Sequence, residues 1–329
     1  MKNLSQTREI QSLIRAEDRR LRDRYRLLSR QDAIALLFLF GALGACVGFA
    51  VLYIKGHLYW WFATGAIAVA ISILHELEHD LIHNLYFKGR AWLKNTCMFV
   101  IWWAKLHANP WWRVEQHLHH HRRSGQEDDI EEKLLGIGLP LGPMRFLIAF
   151  HPAVTLYILV KCRQQIQRFS LKQSILMSAP TFLTMLVIWE TFFGYFRVRY
   201  GFAPVWDPAH LLPETAWPLF RNLAVLWLFP NIFRHTCLAF ASSYCHYFGD
   251  IKSKDLFVQT QILRHWFFWP IQLFCFNFSA THALHHFVVD QPFYLRQAVA
   301  FGVSDAMIAS GVRGDDLGIF KRNNRRYNE

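Results

Sequence analysis

AIALLFLFGALGACVGFAVLYI, from Ala33 to Ile54, carries no charged side chain. A helix of that length crosses a hydrocarbon layer of about 30 Å. The link that follows, Lys55-Gly56-His57, is short, and residues 58–74 are again uncharged and end directly on His75. Two apolar runs joined so closely predict an antiparallel helical hairpin. A third apolar run covers Ile175–Phe196, interrupted late by Glu190. A fourth covers Ala216–Phe240, with Arg221 and Arg234 in its polar flanks. Shorter aromatic runs at Trp92–Ala104, Met144–Val160 and Trp266–Phe278 read as interfacial or half-buried helices. The expected fold is therefore an all-α integral membrane protein, with about four transmembrane helices in two hairpins and a histidine-rich helical cap.

Composition agrees with this. The chain has 329 residues, is 53% hydrophobic and holds 13 Trp and 29 Phe, an aromatic excess that suits membrane interfaces. Its net charge is +12, from 36 Lys+Arg against 24 Asp+Glu, concentrated at the ends and beside the apolar blocks. That pattern fits membrane orientation better than nucleic-acid binding, for which no module is visible. The six cysteines (46, 97, 162, 237, 245 and 275) form no C-x-x-C pair and read as small buried hydrophobes. No rubredoxin or ferredoxin module is encoded, and no cleavable signal peptide is evident.

Residues 1–32 read as a charged amphipathic helix, either solvated or lying on an anionic leaflet. Lys161, Arg163, Arg168 and Lys172 form a second basic region, and Lys321, Arg322, Arg325 and Arg326 a third. By the positive-inside rule all three are cytosolic, as are both termini, and the loop near 197–215 is outside. Arg197 and Arg199 count mildly against that placement. If the source is bacterial, the membrane is the inner one. Three segments are expected: a charged N-terminal helix (1–32), the membrane domain (33–295) and a cytosolic tail (296–329).

The histidines cluster. HELEHDLIH places His75, His79 and His83 four residues apart, on one helical face. HLHHH contains His117, His120 and His121, and HALHH contains His282, His285 and His286, both in H-x-x-H-H spacing. His246 stands alone in SSYCHYFGD, just after the fourth apolar run. All four groups fall on the predicted cytosolic side. Neutral imidazole suits iron, zinc and copper, and nine such groups are too many for one ion. His83, His107, His119, His235 and His265 stay open between ligand and ordinary polar roles. The run Glu127, Asp128, Asp129, Glu131 and Glu132 is either a solvated loop or a source of carboxylates that accept the outer N–H of ligand imidazoles.

A rival reading is contained in the first cluster. His75-Glu76-Leu77-Glu78-His79 matches H-E-x-x-H, in which two His hold zinc and the Glu is general base. An intramembrane zinc metalloprotease would carry it, but the two H-x-x-H-H clusters would then be unexplained.

These residues resemble the membrane fatty-acid desaturase and hydroxylase superfamily over roughly residues 33–295. The resemblance implies a non-haem di-iron centre held by His75 and His79, by His117, His120 and His121, by His282, His285 and His286, and by His246 as the extra ligand between boxes. HELEHD, EQHLHHHRRSGQEDD and SSYCHYFGD are similar to segments of bacterial alkane hydroxylases, with Ser and Cys standing where those have Asn and Glu. THALHHF lacks their flanking Arg and Asp, and H-x-x-H-H is equally a desaturase pattern. The implied function is O₂-dependent oxidation of an unactivated C–H bond in a fatty-acyl or alkyl chain. Desaturation is the first expectation; hydroxylation and terminal-alkene-forming decarboxylation are the alternatives. Two Fe ions, O₂, membrane lipid, and electrons from a separate ferredoxin- or rubredoxin-type donor are implied with it.

Overall fold

The structure is a computed structural model that describes residues 2–106, 108–150 and 217–327, with a few positions between 151 and 216. His107 and most of the basic stretch 161–172, the loop 197–215 and the third apolar run fall outside the described residues. The described chain is mostly helical, with two-residue strands at Gln261–Ile262 and Arg313–Gly314 that pair in parallel. The helices that build the site are α1 (Lys2–Arg24), α2 (Gln31–Ile54), α3 (Trp60–Ile82), α4 (Ala91–Lys105), α5 (Pro110–Arg123) and α6 (Ile130–Leu134). They are followed by α7 (Pro143–Phe150), α8 (Pro218–Cys245), α9 (Phe278–Phe287) and α10 (Phe293–Ala309).

Among the described residues, three helices are long and apolar enough to cross a membrane: α2, α3 and α8. Ala35, Leu39 and Ala42 of α2, one face at helical spacing, bury against Leu74, Leu77 and Leu81 of α3. Alanine at two of these positions lets the backbones approach closely. The other face of α2 leaves Leu37, Phe40, Val47 and Ile54 exposed, the surface expected against lipid. Tyr59, Trp60, Trp61 and Phe62 are exposed at the start of α3, and Trp266, Phe267 and Trp269 beside the strand Gln261–Ile262, as in an interfacial aromatic belt. In α8 a π-turn at Ala224–Leu228 opens the backbone ladder just before Pro230. The Val225 carbonyl there accepts from Thr64 Oγ1 at 3.1 Å, which ties α8 to α3.

The amphipathic stripe of α1 is covered by protein. Ile10 and Ile14 pack in one cluster with Ala283 and Phe287 of α9 and Val299, Val303 and Met307 of α10. The chain beyond residue 296 is also packed: buried Asn324 donates to the carbonyls of Ser243 and His246, and accepts from Phe248 N at 2.9 Å. Gly125 lies where the loop after α5 meets this segment. Its φ is +76°, and a Cβ there would stand 2.6 Å from the Tyr247 carbonyl, so only glycine fits.

Candidate metal centre

Helix geometry explains how the H-x-x-H-H repeats are used. Residues four apart share a face, whereas neighbours point about 100° apart. Hence the outer pair of each repeat converges on one point and the middle histidine turns to another. His117 and His121 of α5 join His79 and His83, at the C-terminal end of α3, and His285 of α9. His282 and His286 of α9 join His246, at the end of α8, and His120 of α5. Each repeat thus contributes to both groups, and the two groups adjoin, with the His121 and His286 ring centres 4.9 Å apart. Asn109 starts α5 by accepting from Trp111 N and Trp112 N at 3.0 and 3.2 Å, and Pro110 occupies the first helical position.

Eight of the nine histidines expected as ligands lie in these groups: His79, His117, His120, His121, His246, His282, His285 and His286. His75 lies outside both, and its Nδ1 stands 3.3 Å from Lys105 Nζ. His83, left open by spacing, is in the first group. Spacing alone offers 75–79 and 79–83 equally. What separates them is depth along α3, since His83 sits at the helix end beside α5 and α9. His119 faces the Asp128 carbonyl at 3.2 Å, and His265 Nδ1 caps a short turn by accepting from Phe267 N. Neither joins a group, nor does His235.

The inward nitrogens are Nε2. His83 Nε2 is 2.9 Å from His117 Nε2 and 3.1 Å from His285 Nε2, and His121 Nε2 is 3.1 and 2.9 Å from the same two. In the second group His282 Nε2 stands 2.9 Å from His246 Nε2 and 3.0 Å from His286 Nε2. Four of the outward nitrogens have acceptors, while buried His285 Nδ1 has no hydrogen-bonding partner among the described residues. His117 Nδ1 donates to Glu131 at 2.7 Å, His120 Nδ1 to Asp129 at 2.8 Å and His246 Nδ1 to the Ser242 carbonyl at 2.8 Å, tautomers fixed by these partners. His286 Nδ1 faces Gln259 Oε1 at 3.3 Å. A neutral imidazole that donates through Nδ1 keeps a lone pair on Nε2. His117 and His246 therefore turn a lone pair inward, and buried His79 Nε2 has no hydrogen-bonding partner among the described residues. A cation would accept these lone pairs. Metal–imidazole bonds of about 2.1 Å at right angles separate adjacent nitrogens by about 3 Å, so the residues fit metal ions.

Electrostatics supports the same conclusion. Burial, reinforced by neighbouring rings, lowers His83 to about 2 and His246 to about 3 and holds His121, His282, His285 and His286 well below 6.5. Neutral imidazole is the form that ligates. His120 is the exception: burial lowers it, but Asp129, Glu132 and Glu131 outweigh burial and raise it to about 10. That acidic wall favours positive charge at the second group. Burial works against the Glu131 carboxylate, yet His117 and Arg113 hold it well below its ordinary range.

A layer of buried ion pairs fixes the C-terminal end of α3. Asp80 takes Arg296 at 2.9 Å, Tyr86 Oη at 2.8 Å and Phe293 N at 2.7 Å. Glu76 faces Arg296 at 3.3 Å, and Glu78 takes Lys105 at 2.7 Å and Arg113. Sequence reasoning missed this layer, although the three acids and two histidines within HELEHD had to be paired if buried. It also bears on the H-E-x-x-H reading, which needs His75 and His79 on one ion with Glu76 free to act as base. Here His75 lies outside the group that contains His79, and Glu76 faces a guanidinium.

No curated protein matches the sequence. A family model, fatty acid desaturase, matches residues 56–313, a span that begins ahead of α3 and ends beyond α10 and takes in every histidine of both groups. That match covers well over half of the chain, which therefore belongs to the fatty acid desaturase family of oxidoreductases.

Proposed function

We propose that the protein is a multi-pass membrane di-iron oxidoreductase that uses O₂ to desaturate a fatty-acyl chain. The observation that carries this reading is the pair of adjoining imidazole groups, with Nε2 atoms turned inward and the outer nitrogens of His117, His120, His246 and His286 on carboxylate, carbonyl or amide acceptors. His79, His83, His117, His121 and His285 hold one iron; His120, His246, His282 and His286 hold the other. When bound, the irons supply O₂ activation and the oxidising power for C–H cleavage. The chain's own part is to fix the imidazole tautomers through Glu131, Asp129 and Ser242, and to place the centre where two apolar helices, α3 and α8, end. The substrate reaches that centre from the lipid side. Hydroxylation and decarboxylation of the same chain remain the sister outcomes, because the position of the substrate carbon decides among them.

Both termini and all four histidine segments are cytosolic in this reading, in the inner membrane if the source is bacterial. Electrons come from a separate acidic ferredoxin- or rubredoxin-type protein, drawn to the basic face. The test is to feed labelled fatty acids and alkanes to cells expressing the protein and to identify the products by mass spectrometry. A new double bond supports desaturation, an alcohol or a terminal alkene reassigns the outcome, and unchanged substrates with cleaved peptides restore the protease reading.

A further inference from the structure

Arg234 of α8 is 1% exposed, and its Nε and Nη2 have no hydrogen-bonding partner. Asn231, one turn earlier on the same face, donates Nδ2 to the carbonyls of Ala104 and Trp227 at 3.0 and 2.8 Å, while its Oδ1 is unmet. Lys105, fully buried, and Arg113 both take the same oxygen of Glu78, and their charges act on Arg234. Glu78 is thus shared by two buried cations and acts on Arg234 only from a distance; Arg113 also reaches Glu131 at 3.4 Å, but that acid already holds His117. The other buried guanidinium groups of this layer, Arg113 and Arg296, have carboxylate partners; Arg234 has none among the described residues. A buried charge without a partner is strongly unfavourable and calls for an occupant.

We propose that Arg234 receives the carboxylate of an unesterified fatty acid, so that the substrate is a free acid and not an alkane, a glycerolipid ester or a thioester. This rests on the acyl-chain oxidoreductase reading. A carboxylate suits the place: it accepts from Nε and Nη2 together, in the two-pronged geometry of Arg–carboxylate pairs. It also brings a negative charge to Arg234 beside Glu78, which already answers to two cations, and its apolar tail suits a site reached from a membrane-spanning helix. Glu78 adjoins His79, and Arg113 is joined through Glu131 to His117, so the head group lies in the layer that borders the first histidine group.

The test measures binding of dodecanoic acid, methyl dodecanoate and dodecane to the iron-loaded protein in phosphatidylcholine nanodiscs, by thermal shift, for the wild type, Arg234→Met and Arg234→Lys. A charge-assisted pair predicts that the wild type prefers acid to ester by roughly tenfold to a hundredfold. In Arg234→Met that preference should fall to about one, with ester affinity and bound iron unchanged, and Arg234→Lys should keep part of it. If Arg234→Met fails to fold, Arg234→Lys carries the comparison. Equal binding of acid and ester by the wild type, or a preference that survives in Arg234→Met, means that water alone satisfies Arg234 and overturns the proposal. Acid preference in a protein that binds no iron sinks the oxidoreductase reading and keeps the carboxylate site. Turnover of ester or alkane without acid preference does the reverse.

Discussion

Replacing His83 with Ala is the perturbation that separates spacing from geometry, because the first box offers two equivalent pairs. His83 Nε2 lies 2.9 Å from His117 Nε2 and 3.1 Å from His285 Nε2, inside the first group. Changes to groups that merely support a ligand cost about 10–100-fold in metal affinity or activity. Removing an inward nitrogen should cost at least that much, more than about 1.4–2.7 kcal/mol. His75→Ala should cost much less, because His75 touches Lys105 at 3.3 Å and no inward nitrogen. The loss there falls on stability and not on metal binding, about 1.5–3 kcal/mol for a hydrogen bond to a buried ammonium. The assay is iron per chain by mass spectrometry after dialysis against a weak chelator. His83→Ala should retain one iron and His75→Ala two. If His75→Ala loses an iron while His83→Ala keeps both, His75 and His79 are the ligating pair and the geometry described here is wrong.

Glu131→Gln and Asp129→Asn each remove the carboxylate behind one ligand, His117 or His120. Each should weaken iron at its own group by about 10–100-fold, read from chelator competition, with the other group spared. Asn324→Ala should loosen the His246 segment, which Asn324 grips through the Ser243 and His246 carbonyls; faster amide exchange at residues 246–249 without loss of α3 protection is the expected result. In metal-free protein His246 falls to about 3 from 6.5, so its stabilising contribution is full above pH 6.5 and lost as pH drops toward 3. His120 rises to about 10, so its contribution is full below pH 6.5 and lost as pH climbs through 10. The melting temperature of the metal-free protein should therefore peak near pH 6.5 and decline on both sides, and a flat profile would contradict the burial of these two rings.

Much of this was legible in the residues. The absence of charge from Ala33 to Ile54 and from residue 58 to His75 marks α2 and α3, because only a helix satisfies its own backbone in lipid. The H-x-x-H-H spacing marks candidate metal-binding segments, and its division between two groups follows from helix geometry once α5 and α9 are known to face each other. That facing is tertiary, so spacing could not choose between His75 and His83, nor find the use of Asp129 and Glu131. The stripe on α1 was ambiguous for a similar reason. Ile10 and Ile14 make an apolar face suited equally to a leaflet or to a helix pair, and only packing against Val299 and Val303 decides for the latter. Arg234 read as a flanking charge because α8 was expected to end near Phe240; the helix continues to Cys245 and leaves Arg234 well inside it.

The central claim is that two adjoining imidazole groups hold two irons. It is tested most directly by metal analysis of the purified protein together with Mössbauer spectroscopy of iron-57-enriched protein. The account predicts two irons per chain, in two nitrogen-rich environments that are magnetically coupled. One zinc per chain with no iron, or a single uncoupled iron, would contradict it.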